Sequence, residues 1–249
     1  MLVNNICFIH IPKAGGTSIE KNIIEYESNF FRYLYIKIYD YIADIIKLYA
    51  SLICYFLFIK PSDKYNHIFI IILRIINDHI LKYYHSTYLL EKNNYKNKYE
   101  NIKFFSCVRH PQSRLVSLYT FLKPNISFDS FIFGILSPNN HNSKLSYPPR
   151  ITYQDQTSFL IDENNEIYIK YIKLEEINEK WKELCIYLDI PFKEIDIKKN
   201  NSIDSNSINS NNWKEYYDKY PYIVNIVKDY YKNDFINFNY ELYFPNSYI

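Results

Sequence analysis

Short apolar runs alternate along this chain with longer amphipathic segments. Residues 6–11, apolar except for His10, predict a strand, and residues 17–28 predict the helix that follows it. Residues 102–108 predict a second strand, and residues 111–122 predict a second helix with proline in its first turn. Strands that alternate with helices favour an α/β fold with a mainly parallel sheet. Ligands of such folds bind at the carboxyl ends of the strands.

The downstream part of the chain continues this alternation. Residues 166–172 alternate between apolar and polar side chains and predict a third strand. Residues 174–188 predict an amphipathic helix, and residues 220–235 predict a closing helix. The Asn/Ser-rich residues 200–212 are typical of a loop. We therefore expect a single domain over residues 1–249, which is long enough to bury a sizeable core.

Residues 30–60 are apolar on nearly every side. Their longest uncharged run, residues 48–59, is too short to cross a bilayer. We interpret this region as part of a buried helical insertion at about residues 30–85. Contact of residues 41–59 with a membrane surface is the alternative.

A glycine pair stands between the first strand and the first helix. The chain has three glycines, and two of them are Gly15 and Gly16. Thr17 and Ser18 then open the helix. In this strand–loop–helix, backbone N–H groups and the helix N-terminus favour a phosphate, and Lys13 adds a full positive charge. Because this lysine precedes the glycines, the order differs from the Walker loop of ordinary ATPases.

A second polar motif follows the second strand. Arg109 stands at the carboxyl end of that strand, and Ser117 lies about two turns into the next helix. A guanidinium and a hydroxyl placed in this way can grip one phosphate from two sides. Arg114 precedes Ser117 by one helical turn and is expected to face the same side.

Charge and cysteine content exclude some classes of protein. The formal net charge of +2 gives no case for a nucleic-acid partner. The four cysteines are widely spaced and form no CxxC motif, so we expect free thiols in a reducing compartment and no metal site. The start of the chain has no signal-peptide pattern, which predicts a cytoplasmic location.

The two motifs together resemble those of sulfotransferases that use 3′-phosphoadenosine 5′-phosphosulfate (PAPS), most closely the carbohydrate branch. Residues 12–18 are similar to the 5′-phosphosulfate loop of that family. Residues 109–117 are similar to its 3′-phosphate motif, including the eight-residue step from Arg to Ser. Weaker similarity continues at residues 153–160, 216–218 and 234–240. Residues 30–80 show none.

The resemblance implies a P-loop-like three-layer fold and a reaction. A sulfuryl group would pass in line from PAPS to an acceptor hydroxyl, on a carbohydrate, leaving 3′-phosphoadenosine 5′-phosphate (PAP) without any metal. Lys13 would hydrogen-bond the bridging oxygen that leaves. The loop residues implied to hold the 5′-phosphate are Ala14, Gly15, Gly16, Thr17 and Ser18. Ala14 stands where threonine is common, which leaves the loop N–H in place. Arg109, Ser117 and Arg114 would bind the 3′-phosphate.

The acceptor hydroxyl needs a general base. The candidates are the acidic residues between the two motifs and three histidines there, His67, His79 and His85. We favour His85, because it precedes the second strand at about the distance where the carbohydrate branch keeps a histidine. Glu20 is the second choice, because it begins the helix beside the loop. His10 and His110 are expected to be structural.

Two other functions remain compatible with these motifs. One is a non-catalytic module of the same fold that binds PAPS, PAP or a glycan. The other is a phosphoryl-transfer enzyme, for which the sequence offers no clear metal-binding carboxylate after an apolar strand. Residues 30–80 and 137–150 are expected to shape the acceptor cleft. The Golgi placement usual in the carbohydrate branch is not expected here. The sequence does not determine the oligomeric state.

Overall fold

The computed structural model of the protein describes residues 2–3, 5–26, 86–95, 101–136, 150–195 and 212–245. These residues form a four-stranded sheet in the order β1–β2–β3–β4. The strands are β1 (Leu2–Val3), β2 (Ile6–Ile9), β3 (Lys103–Val108) and β4 (Lys170–Lys173). β1 pairs antiparallel with β2, whereas β2, β3 and β4 pair in parallel. The predicted α/β fold with a mainly parallel sheet is confirmed.

Helices connect and cover the strands. Those of the described residues are α1 (Gly16–Tyr26), α2 (Tyr88–Tyr95), α3 (Pro111–Leu122), α4 (Phe128–Leu136), α5 (Thr157–Leu160), α6 (Ile177–Leu188), α7 (Trp213–Lys219), α8 (Val224–Tyr230) and α9 (Lys232–Asn237). Short 3₁₀ turns occupy Arg150–Thr152, Leu174–Glu176 and Pro221–Ile223.

β2 is covered on both faces, as expected of a central parallel strand. Successive side chains of a strand point to opposite faces. Accordingly, Ile6 and Phe8 pack with α1 and α6, whereas Cys7 and Ile9 belong to a second cluster with α5. All four side chains are buried. The sheet is therefore the middle layer between two apolar layers.

A third apolar cluster lies away from the sheet and joins α3 to the C-terminal helices. Its largest fully buried side chains include Phe128, Phe131, Tyr217 and Tyr231. The Tyr217 hydroxyl donates a hydrogen bond to the Gln112 carbonyl at 3.1 Å. This packing fixes α3, which carries the second predicted phosphate motif.

The ends of α3 agree with the prediction. Pro111 occupies the first turn, where its missing N–H costs no hydrogen bond. Lys123 ends the helix in the left-handed conformation, and its N–H donates to the Tyr119 carbonyl.

Two predicted elements differ in extent. The third strand was predicted over residues 166–172, but β4 begins only at Lys170. The Asp162 carboxylate accepts hydrogen bonds from the backbone N–H groups of Asn164 and Glu166, which makes a turn just before the predicted strand. Ile167 then pairs only in an isolated antiparallel bridge with Ile161, so the parallel pairing with β3 begins at Lys170. The closing helix over residues 220–235 is also interrupted, since Tyr231 leaves the helical region at φ −102°.

Cys7, Cys107 and Cys185 are buried, and no disulfide bond joins them to one another. The helical insertion predicted at about residues 30–85 lies outside the described residues. Within the described part of the chain, no helix is both long enough and apolar enough to cross a membrane.

Candidate active site

The parallel pairing of β2 with β3 brings the two motifs to one edge of the sheet. Ile9 lies opposite Ser106, and the Ser106 hydroxyl donates to the Ile9 carbonyl at 2.7 Å. Because both strands run in the same direction, residues 10–15 and Arg109 leave the sheet side by side.

The loop between β2 and α1 uses two left-handed residues. Lys13 has φ +65° and Gly15 has φ +84°. Beyond them, the N–H groups of Ser18 and Ile19 donate to the Gly15 carbonyl at 3.2 and 3.4 Å. The N–H groups of Gly16 and Thr17, in the first turn of α1, have no acceptor among the described residues. The N–H group of Gly15 also has no acceptor among the described residues, so three of the four N–H groups predicted to hold a 5′-phosphate are available, and that of Ser18 is already bonded.

Neither glycine of the pair can be replaced without displacing a neighbour. A Cβ atom on Gly15 would lie 2.5 Å from Cδ1 of Leu174, and a Cβ atom on Gly16 would overlap the His10 ring. That ring stacks on Phe8 with its centroid 5.7 Å away. His10 therefore fills the space that a side chain at position 16 would need.

Glu20 is paired with this histidine. Its Oε1 lies 3.1 Å from Nδ1 of His10, and both side chains are partly buried. The contacts of His10 agree with the structural role expected for it. Glu20, the second choice for the general base, therefore lies beside the loop and contacts His10.

Lys13 lies under an aromatic ring. Its Nζ is 3.9 Å from the centroid of the Phe121 ring, although Phe121 itself is 65 % exposed. Burial and, to a smaller extent, the positive charge of Arg109 together lower the pKa of Lys13 from 10.5 to about 8. Lys13 is therefore still a cation at pH 7.

Arg109 joins the second motif to the loop. Its Nη1 donates to the Lys13 carbonyl at 3.4 Å, and its Nε donates to the Ser113 hydroxyl at 3.0 Å. Burial lowers the pKa of the guanidinium. Ser113 was not among the predicted residues, whereas Ser117 was. Ser117 lies one turn further along α3 and is partly buried.

Arg114 faces the protein interior. It is 2 % exposed, and its guanidinium donates to the carbonyls of Pro12 at 2.8 Å, Gln154 at 2.9 Å and Thr152 at 3.2 Å. These contacts make Arg114 a brace between the loop, α3 and residues 152–154. Direct contact of Arg114 with a phosphate stays a prediction.

Two further buried polar residues surround Arg109 and were missed as site residues. The Gln156 side chain bonds both the N–H and the carbonyl of Arg109, at 2.8 and 2.7 Å. The Asp234 carboxylate accepts from the backbone N–H of Gln156 at 2.8 Å. Both residues lie in segments that resembled the family weakly, residues 153–160 and 234–240, and that resemblance was the available signal.

His110 packs against aromatic residues. Its ring centroid is 4.7 Å from that of Trp213, and its Nε2 lies 2.8 Å from the Glu241 carbonyl oxygen. Burial lowers the pKa of this histidine, which agrees with a structural role. His67, His79 and the favoured base, His85, lie outside the described residues.

Comparison with known protein families identifies the family of this chain. A family model described as the sulfotransferase family matches residues 3–241. The chain belongs to the sulfotransferase family. The match covers the loop around Lys13 and the motif around Arg109, and it agrees with the family 2 type that the two motifs resemble. Neither a curated protein nor a solved structure matches the chain significantly.

Membership of this family means that the protein transfers sulfuryl groups. The donor and the acceptor of such a reaction are small molecules. Within the described residues, no cluster of three or more His, Cys, Asp or Glu side chains has the arrangement of a metal site.

The contact between Gly16 and His10 predicts a coupled pair of substitutions. Gly16→Ala should lower the free energy of unfolding by about 1–3 kcal/mol, because the new methyl group overlaps the imidazole. In a His10→Ala background the same change should cost about 1 kcal/mol less or become stabilising, since alanine is the better helix former. Urea denaturation of the four proteins measures this cycle. An equal cost in both backgrounds would contradict the packing described here.

The lowered pKa of Lys13 predicts that this sulfotransferase is stabilised when the charge is removed. At pH 7 the folded state holds a partly desolvated ammonium, so Lys13→Met should raise the free energy of unfolding by roughly 1 kcal/mol after allowance for solvent screening. Between pH 8 and 10.5 the unfolded lysine binds more protons than the folded one, so wild-type stability should rise relative to the variant. Urea denaturation at pH 7, 9 and 10.5 measures the difference. A difference that does not change with pH would refute the assigned pKa.

Proposed function

We propose that this sulfotransferase transfers a sulfuryl group from PAPS to a hydroxyl group of a carbohydrate. The observation that carries the proposal is the meeting of Lys13 and Arg109, which are 96 residues apart, through the hydrogen bond from Arg109 to the Lys13 carbonyl. Two cations held at one sheet edge suit a ligand with two separate anionic groups. The carbohydrate acceptor rests on the resemblance of both motifs to the carbohydrate branch.

The donor set fits the 5′ end of PAPS. The Gly16 and Thr17 N–H groups have no acceptor among the described residues, and they lie at the positive end of the α1 dipole. Lys13 adds a full charge beside them. The remaining cation, Arg109, is left for the 3′-phosphate, together with the Ser117 hydroxyl on α3.

When bound, PAPS supplies an activated sulfur atom whose bond to the bridging oxygen is the one that breaks. The acceptor oxygen forms the new bond to sulfur from the opposite side, and the bridging oxygen leaves with the electron pair on the 5′-phosphate. Lys13 stabilises the charge that grows on this leaving oxygen. Its ammonium is partly desolvated, so its electrostatic effect is larger than in water.

The acceptor hydroxyl loses its proton in the same reaction. We propose that His85 is the general base that takes this proton, with Glu20 as the alternative base. In the structure Glu20 lies against His10, so Glu20 acting as the base would be oriented by that histidine.

Binding of PAP to the purified protein tests the donor site separately from the acceptor. By isothermal titration calorimetry, Lys13→Ala and Arg109→Ala should each weaken PAP binding at least tenfold, since each removes a charge-assisted interaction worth roughly 1.5–3 kcal/mol. Lys92→Ala is a matched control, because Lys92 pairs with Glu163 on the surface, at 3.3 Å. Unchanged affinity in both site variants would overturn the assignment. If the protein binds PAP but transfers no labelled sulfate from PAPS to any glycan in a panel, the proposed activity is refuted. The alternative, a non-catalytic module of the same fold that binds PAP, would then replace it.

The pKa of Lys13 also predicts the pH dependence of sulfuryl transfer. Because kcat/KM reports ionisations of the free enzyme, it should fall as pH rises above about 8, where Lys13 loses its proton. In Lys13→Arg, which is less active, this decrease should move beyond pH 10, since a guanidinium stays charged. Initial rates at low PAPS concentration over pH 6–10 measure both profiles. The same alkaline decrease in Lys13→Arg would show that another group causes it.

A further inference from the structure

The backbone of Arg109 is held by a side chain instead of by the sheet. β3 ends at Val108, which pairs with Lys173, so Arg109 is the first residue beyond the ladder. Its N–H donates to Oε1 of Gln156 at 2.8 Å, and its carbonyl accepts from Nε2 of Gln156 at 2.7 Å. One primary amide thus satisfies both polar groups of the Arg109 backbone. Gln156 is 0 % exposed, so water does not compete for these bonds.

Asp234 determines which way the Gln156 amide faces. One carboxylate oxygen, Oδ2, accepts from the Gln156 backbone N–H at 2.8 Å and from its Nε2 at 3.3 Å. The other, Oδ1, accepts from the backbone N–H and the hydroxyl of Thr157, at 2.8 and 2.9 Å. Burial raises the pKa of Asp234, and the hydrogen bonds it accepts from Gln156 and Thr157 oppose that rise. The Arg109 N–H needs the Gln156 oxygen and the Arg109 carbonyl needs its NH₂ group, and Asp234 holds the amide in this orientation by accepting from the same NH₂ group. Asp234 is also 0 % exposed, which makes this orientation costly to reverse.

The segment that carries Gln156 is itself fixed on both sides. Arg114 donates to the carbonyls of Thr152 and Gln154, and the Tyr231 hydroxyl donates to the carbonyl of Tyr153. Gln156 therefore projects from a rigid piece of backbone.

We propose that Gln156, oriented by Asp234, is the positioning residue that holds Arg109 for the 3′-phosphate of the donor. This inference rests on the proposed function. A bidentate grip on phosphate needs the guanidinium within about 0.5 Å of its productive place. Fixing both backbone groups of Arg109 anchors the base of the side chain, while its tip is already guided by Ser113 and the Lys13 carbonyl.

The chain offers a matched control in Gln112. This glutamine is also 0 % exposed, and its amide also clamps one residue, donating to the Tyr243 carbonyl at 3.1 Å and accepting from the Tyr243 N–H at 2.8 Å. Its clamp holds the C-terminal segment and leaves the Arg109 backbone untouched. Replacing either glutamine by leucine removes one bond to a backbone N–H and one to a backbone carbonyl, and Gln156→Leu also removes the longer bond from Nε2 to Asp234.

The experiment compares two nucleotides that differ only in the 3′-phosphate. Dissociation constants for PAP and for adenosine 5′-phosphate are measured by calorimetry on wild type, Gln156→Leu and Gln112→Leu. Gln156→Leu should weaken PAP binding about tenfold, as expected for a charge-assisted contact that is no longer aligned, and leave adenosine 5′-phosphate unaffected. The ratio of the two constants should therefore fall. Gln112→Leu should keep the wild-type ratio, whatever stability it loses.

Three results would overturn the inference. A wild-type ratio in Gln156→Leu would mean that Arg109 finds its place without the clamp. Parallel weakening of both nucleotides would mean that Gln156 supports the whole loop. Equal binding of both nucleotides by the wild type would instead refute the proposed donor, and this inference with it. If Gln156→Leu does not fold, Asp234→Asn, which removes one acceptor oxygen from the same network, is measured in its place with the same expected fall in the ratio.

Discussion

The buried guanidinium of Arg114 is the interaction on which the arrangement of this site depends. It donates to main-chain carbonyls of the loop at Pro12 and of the segment at Thr152 and Gln154, while its own backbone belongs to α3. A charge taken out of water is tolerated only when its hydrogen bonds are made, so separating any of these segments would leave it uncompensated. The phosphate loop, α3 and the segment that leads to Gln156 therefore behave as one unit.

The site concentrates positive charge before any ligand arrives. Burial lowers the pKa of both Lys13 and Arg109. The positive charge of Arg109 also contributes to the lowered pKa of Lys13. Such repulsion is relieved by an anion placed between the two cations. Binding of the proposed polyanionic donor would therefore relieve an electrostatic cost that the protein already bears without it. The aromatic face of Phe121 offsets part of that cost for Lys13.

Local patterns predicted the elements that carry the site. The strand–loop–helix around Gly15 and the bounds of α3 follow from features within a few residues, namely the glycine pair and Pro111. The approach of Lys13 to Arg109 follows from parallel pairing. The partners of Arg114 and Gln156 could not be predicted in the same way. They join residues 38 to 102 positions apart, and such contacts leave no periodic signal in the sequence. The late start of β4 was missed because Ile167 pairs locally with Ile161 across the turn at Asp162, and not with β3.

At position 13, stability of the fold and recognition of an anion favour different residues. At φ +65° a residue with a Cβ atom costs roughly 1–2 kcal/mol relative to the ordinary conformations, and glycine would avoid this cost. The ammonium at this position adds a second penalty through desolvation. Foldability and anion recognition therefore favour different residues at position 13. Lysine at position 13 is therefore unfavourable for the fold on both counts, and only the anion recognition proposed above favours it.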